Sequence, residues 1–226
     1  MAYLRLVRWP NLLIIGLIFL LVGTQLIGSI AQLSGIDSCL STLHWWLMAL
    51  ATVLIAASGN VVNDIFDQDI DKLNRPKKRI VGKTISEQQA WNFYYLLVVL
   101  GGGIGVYLSH LLGNISNALL FLLSIGGLYF YSYSYKRQFL IGNIVVAFLA
   151  GLIPFLPIYF EMMCNKTPWI ELPWAPILVA FSFFSFLITL IREIIKDMED
   201  MHGDMRRQCS TLPVVLGMRG AKLSVL

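Results

Sequence analysis

The sequence predicts an all-helical protein, a polytopic membrane bundle of about six transmembrane helices, and three observations predict it. Apolar residues make up 57% of the 226 and charged residues only 13%, against about 25% charged in a soluble domain. Six stretches, residues 12–34, 44–62, 88–110, 115–135, 139–160 and 174–191, contain no Asp, Glu, Lys or Arg. Each approaches the roughly 20 apolar residues that carry a helix across the hydrocarbon. The third observation is where the cations fall. With the amino terminus inside, Arg5, Arg8, Lys72, Arg75, Lys77, Lys78, Arg79, Lys83, Lys136, Arg137, Arg192, Lys196, Arg206 and Arg207 are all on the inner side, and Lys166 is the one cation outside. Cytoplasmic loops of membrane proteins collect Lys and Arg, so the bias orients the chain and supports the count of spans.

The first span is uncharged from Asn11 to Ile36 and lacks a small-residue cleavage site, so it reads as a retained helix and not a signal peptide. The second and sixth spans run from outside to inside and end among acidic residues. The third opens at Ser86-Glu87-Gln88-Gln89, where the Ser86 hydroxyl can accept from the Gln89 N–H while the Gln89 side chain reaches back, a capping box. The fourth ends in an aromatic run, Tyr129, Phe130, Tyr131, Tyr133 and Tyr135, just before Lys136 and Arg137. Tyrosines at that depth form an interfacial belt or, for some of them, line a pocket and face a cation. The outer connections, 35–41, 113–114 and 165–173, are short and turn-like, so function is expected on the inner face.

After the sixth span, Thr211-Leu212-Pro213-Val214-Val215-Leu216-Gly217 looks like the opening of another membrane segment. The chain is therefore expected to be a single domain, 1–226, truncated at its carboxyl end. Cys39, Cys164 and Cys209 lie far apart with no CxxC and no histidine at ligand spacing, which reads as isolated thiols; a pairing of Cys39 with Cys164, both in outer segments, stays open.

Nine of the thirteen acidic residues fall in two places: Asp64, Asp67, Asp69 and Asp71 at the end of the second span, and Glu193, Asp197, Glu199, Asp200 and Asp204 at the end of the sixth. Crowding of this kind needs compensating cations. On a helix Asp64, Asp67 and Asp71 fall at about 0°, 300° and 340°, one narrow face, and Asp197, Asp200 and Asp204 repeat the spacing. Asp69 points about 140° away from Asp64. Four residues before each cluster, Asn60 and Glu193 extend the same two faces. A hard divalent ion that keeps several waters, takes one or two carboxylates and bridges to phosphate is Mg2+, so the six aspartates are the expected metal ligands and catalytic residues. The alternative, helix-end carboxylates that are merely solvated or paired with loop cations, does not require a shared period.

The run Lys72-Leu73-Asn74-Arg75-Pro76-Lys77-Lys78-Arg79 supplies cations beside the first cluster. Such a run serves topology or anionic lipid. Beside carboxylates in register it also suits the oxygens of a diphosphate, which Arg binds bidentately.

The stretch Asn63-Asp64-Ile65-Phe66-Asp67-Gln68-Asp69-Ile70-Asp71, followed by Asn74-Arg75-Pro76, resembles the first signature of the UbiA superfamily of intramembrane prenyltransferases. Arg192-Glu193-Ile194-Ile195-Lys196-Asp197-Met198-Glu199-Asp200-Met201-His202-Gly203-Asp204, then Thr211-Leu212-Pro213, is similar to the second, and Arg8-Trp9-Pro10-Asn11, Tyr131-Ser132 and Lys136-Arg137 fit as well. The resemblance covers essentially the whole chain. It implies a helix bundle, normally of nine helices, around a central cavity, with a lateral opening to lipid. The implied reaction is a Mg2+-dependent transfer of a prenyl group from its diphosphate. The wording of the second signature most resembles the branch that makes geranylgeranylglyceryl phosphate ethers, with aromatic, quinone-precursor and chlorophyllide-type acceptors as the alternative.

The expected chemistry is ionisation-assisted alkyl transfer. Asp64, Asp67, Asp71, Asp197, Asp200 and Asp204 hold Mg2+, and Asn60, Asn63, Arg75, Lys77, Arg79, Lys136 and Lys196 bind the diphosphate. The partners expected are a prenyl diphosphate, a lipophilic acceptor and membrane lipid, with no nucleic acid. A CDP-alcohol phosphotransferase would need a single DG…AR…G…D…D block, which the sequence lacks. A divalent cation transporter would hold its carboxylates near the bilayer midplane, whereas these lie at span ends.

Overall fold

The computed structural model describes residues 1–68, 72, 79–166, 168, 171–206 and 208–225. A short helix α1 (Ala2–Leu6) precedes six long ones: α2 (Trp9–Ser34), α3 (Thr42–Phe66), α4 (Glu87–Leu111), α5 (Ala118–Tyr133), α6 (Ile141–Asn165) and α7 (Ala175–Arg206). A final helix α8 (Leu212–Leu223) follows. All six are long and apolar enough to cross a membrane. No β-strand occurs among the described residues; a single bridge joins Val81 to Ile85 in the turn before α4.

Local chemistry accounts for the boundaries. The capping box at the start of α4 forms as the residues predict: the Gln89 N–H donates to Ser86 Oγ at 3.2 Å, and the Ser86 N–H donates to Gln89 Oε1 at 3.0 Å. A second capping box, Ser41 with His44, starts α3. Within α2 the residues Leu21–Ile27 widen to a π-helix.

The helix α3 is the hub. It packs along α4, α5 and α2, and 56% of its most apolar window is buried against 17% in α2 and α7 and 22% in α5, so those three leave the largest shares of their surface to lipid. Exposed Leu13, Ile14 and Leu17 on α2, Leu119 and Leu123 on α5, and Phe181, Phe184 and Ile188 on α7 are part of that surface. The helix α6 pairs with α7. Pro154 inside α6 has no N–H to give the Ala150 carbonyl one turn back. The Ser185 hydroxyl of α7 donates to that carbonyl at 3.1 Å, which is how a freed backbone group is satisfied where no water is available.

At the end of the bundle remote from the aspartates, Cys39 and Cys164 form a disulfide, so the reading of all three cysteines as isolated thiols is corrected for those two. The physical reason is convergence of the 35–41 loop on the last turn of α6. There the fully buried Glu161 accepts from the Ser38 hydroxyl, from the Cys39 N–H at 3.1 Å and from the Asn165 side chain at 3.0 Å.

Candidate active site

A cavity of about 840 Å³ opens at the acidic end of the bundle and is lined by α2, α3, α5, α6 and the last turns of α7. It lies within the roughly 300–1,000 Å³ range of small-molecule sites. Both clusters reach it. Asn60, Asn63, Asp64 and Asp67 face it from α3, and Glu193, Lys196, Asp197, Asp200 and Asp204 face it from α7.

The two clusters are built differently. The helix α7 continues through all of its aspartates to Arg206, so the shared face expected from their spacing is realised. The helix α3 stops at Phe66, with Asp67 as its C-cap. The expected positions Asp71, Arg75 and Lys77 lie outside the described residues. Arg79 does not line the cavity; its guanidinium donates to the Gly82 carbonyl at 3.0 Å.

Asp64, Asp67, Asp197 and Asp204 are each held by a donor from elsewhere in the chain. Arg8 reaches Asp64 at 2.9 Å. Its backbone, at the start of α2, is in the left-handed region (φ 55°), a conformation that a non-glycine residue adopts only when its surroundings enforce it. Part of that enforcement is the Asn60 amide, which donates to the Val7 carbonyl at 2.9 Å. Lys136, in the turn between α5 and α6, donates to Asp67 Oδ1 at 2.6 Å and to Asn63 Oδ1 at 3.2 Å, while the Asn63 amide donates to Asp67 Oδ2 at 3.0 Å. Burial pushes the Lys136 ammonium below the ordinary lysine range, and the Asp67 carboxylate opposes that shift. Gly142 lets the turn approach: a Cβ there would lie 2.7 Å from the Lys136 backbone.

On the α7 side the Asn143 amide donates to Asp197 at 2.8 Å, and the Thr211 hydroxyl donates to Asp204 at 3.0 Å. The loop before α8 is tied to the Lys136 turn by the Ser210 N–H, which donates to the Arg137 carbonyl at 2.9 Å. Glu193, nearly buried, meets Arg192 at 2.6 Å, Lys196 at 3.4 Å and the Tyr131 hydroxyl at 3.4 Å. Of the aromatic run only Tyr131 lines the cavity. Tyr129 and Tyr133 pack instead on Phe66, with ring centroids 5.7 and 5.6 Å away.

These donors suit a hard divalent cation. Most metal-binding atoms at the cavity's aspartate-bearing end are carboxylate and amide oxygens, the set that suits Mg2+ over softer metals, with the Cys209 thiol also in the lining. Among the described residues no three acidic, histidine or cysteine side chains converge on one point. Mg2+ takes one or two carboxylates and fills its shell from water or phosphate, and Asp64, Asp67, Asp197, Asp200 and Asp204 face the cavity where they could supply them.

Sequence reasoning left Arg8, Tyr131, Asn143 and Glu193 out of the expected ligand set, although all but Asn143 stood in the motifs it quoted. Asn143 carried one usable signal, a polar side chain in an apolar span, which needs a partner.

The chain matches the UbiA prenyltransferase family over residues 17–226. It is 34% identical over 175 residues to the digeranylgeranylglyceryl phosphate synthase of Metallosphaera sedula, covering 77% of this chain and 57% of the relative. With the synthase of Thermococcus kodakarensis the identity is 31% over 220 residues, covering 97% of this chain and 70% of the relative. The chain thus spans a little over half the length of the first of these and 70% of the second. A structure described as giving insight into digeranylgeranylglyceryl phosphate synthase in membranes superposes with a TM-score of 0.67 at 26% identity, over 99% of this chain and 71% of that one. The apo structure of a UbiA homolog from Aeropyrum pernix K1 superposes with a TM-score of 0.69 at 24% identity, over 94% of this chain and 72% of that one, a likeness of fold. Two aspartate-bearing helix ends facing one cavity, in a chain matched almost throughout, are the features of a member of the UbiA prenyltransferase family, to which this chain belongs.

Proposed function

We propose that the protein transfers a prenyl group, geranylgeranyl being the leading candidate, from its diphosphate to the hydroxyl of a lipid acceptor of the geranylgeranylglyceryl phosphate type. The observation that carries this reading is the cavity itself. Carboxylates from α3 and α7 and the cations Arg8, Lys136 and Lys196 face its mouth, while Ile55, Leu152 and Leu156 line its depth. Such a site suits a molecule with an anionic head and a long apolar tail. The acceptor class is supported by the names of the relatives.

Asp64, Asp67, Asp71, Asp197, Asp200 and Asp204 would hold Mg2+, which when bound neutralises charge on the diphosphate. Arg8, Lys136 and Lys196 bind phosphate oxygens, and Arg75 and Lys77 are the further cations assigned to them by sequence, Arg79 being turned to the Gly82 carbonyl. The allylic C–O bond breaks with its electron pair leaving on the diphosphate. The acceptor oxygen then forms the new C–O bond and its proton is released. Apolar walls exclude the water that would otherwise capture the allylic carbon. The Tyr131 ring, at the edge of the mouth, is suited to stabilise positive charge there.

The amino terminus and the acidic end face the cytoplasm in this reading, supported by the fourteen-to-one cation bias and by a disulfide at the opposite end, where oxidising conditions favour one. The test is incubation of membranes carrying the protein with radiolabelled geranylgeranyl diphosphate, Mg2+ and a panel of acceptors. Label in a glyceryl phosphate ether is the expected result. Label only in an aromatic acceptor would overturn the acceptor class, and no label in any would overturn the activity.

A further inference from the structure

We propose that Thr211 is a positioning residue for the aspartate-bearing end of α7, fixing the Asp204 carboxylate in the orientation it presents to the cavity. Asp204 lines the cavity from the last turn of α7, which ends at Arg206. A terminal turn frays, so a side chain there needs support from outside its own helix.

The chain supplies that support by turning back directly after α7. Gln208 takes the left-handed conformation (φ 58°), and the Cys209 N–H donates to the Asp204 carbonyl at 3.0 Å, the kind of bond that closes a helix end beside a left-handed residue. Thr211 is thereby returned to Asp204, and its hydroxyl donates to Asp204 Oδ2 at 3.0 Å. Thr211 is 2% exposed and stands at the N-cap of α8, where a threonine hydroxyl ordinarily accepts from the first turn. Here it makes no capping bond, and Pro213, the second residue of that helix, has no N–H to offer it.

The residues on either side hold Thr211 in place. The Ser210 N–H donates to the Arg137 carbonyl at 2.9 Å. Leu212, 1% exposed, packs in a buried cluster with Ile194 of α7 and against Leu140 at the end of the Lys136 turn. The hydroxyl is therefore delivered from a loop anchored on both sides, which is what locks a ligand's rotamer. An ionised carboxylate accepts at about four lone-pair sites, so one bond from a hydroxyl orients Asp204 without exhausting it. Donors placed in this way behind metal ligands change metal affinity by about ten- to a hundredfold.

This inference rests on the reading of the aspartates as metal ligands. The test is Mn2+ binding to the full chain in lipid nanodiscs, followed by the electron paramagnetic resonance of the free ion, with unfolding midpoints taken in the absence of metal. Mn2+ stands in for Mg2+ because carboxylate and water ligands suit both. Thr211→Val, close in shape but without the donor, should weaken Mn2+ binding about tenfold, and Thr211→Ser should restore it. In an Asp204→Asn background Thr211→Val should cause no further loss, since it acts through that carboxylate. Thr211→Ala replaces the valine variant if that one does not reach the membrane, with the same loss expected. Wild-type protein that binds no Mn2+ overturns the aspartates as metal ligands. Wild-type binding that Thr211→Val leaves unchanged, whatever its unfolding midpoint, leaves the metal ligands standing and overturns the positioning role, as does a loss of equal size in the Asp204→Asn background.

Discussion

The Lys136 ammonium lies 2.6 Å from the Asp67 carboxylate, joining the turn after α5 to the C-cap of α3 across the mouth of the cavity. Because both side chains are largely buried, this contact places a cation where a diphosphate would sit and gives a carboxylate a partner that an incoming anion can compete for. Lys136→Ala is expected to weaken binding of a prenyl diphosphate by about ten- to a hundredfold, the range for a charged hydrogen bond. Lys136→Arg should recover part of it. Titration of the donor into nanodisc-held protein measures both, and an unchanged affinity in the alanine variant would remove Lys136 from the site.

Both aspartate faces are expected to be needed. Asp64→Asn and Asp197→Asn should each abolish transfer, whereas Glu87→Gln, in the first turn of α4 away from the cavity, should not. Chelation of divalent ions should abolish transfer in wild type, with recovery on adding Mg2+. Retained activity in either aspartate variant, at equal protein level, would show that its helix end is not a metal ligand.

Asn143 is a positioning residue, since it acts through the Asp197 carboxylate to which it donates at 2.8 Å. Asn143→Ala is expected to raise the Mg2+ concentration required for half-maximal transfer several-fold, with recovery in Asn143→Gln if the longer amide reaches. A loss of protein level with an unchanged Mg2+ dependence would mean that the residue only packs.

Ser185→Ala should leave the Ala150 carbonyl beside Pro154 without its donor. Interhelical hydrogen bonds in membrane proteins contribute about 0.6 kcal/mol on average and rarely more than about 2, so a small drop in detergent-resistant thermal stability is expected. Ser185→Thr, which keeps the hydroxyl, should restore it. Equal unfolding midpoints for all three proteins would show that the α6 carbonyl finds another partner.

Cysteines introduced at Lys83 and at Lys166, in a Cys209→Ser background, should be labelled by an impermeant reagent from opposite sides of the membrane. The cation bias motivates this expectation. Labelling of both from one side would refute the proposed orientation.

Much of this protein was legible in its residues alone. Six uncharged stretches specify six helices because a backbone in hydrocarbon must satisfy its own hydrogen bonds. The capping box at Ser86 specified where α4 begins, and the repeat of Asp197, Asp200 and Asp204 specified one face of α7, since both are local consequences of helical geometry. Other features depended on tertiary structure because they join residues distant in sequence. Arg8 meets Asp64, Asn143 meets Asp197 and Cys39 meets Cys164 only once the helices are packed. Tyr131 faces the cavity while its neighbours face Phe66 for the same reason. The cavity itself was decided by how α2, α3, α5, α6 and α7 fit together, because a cavity is the space that packing leaves and has no signature in any one segment.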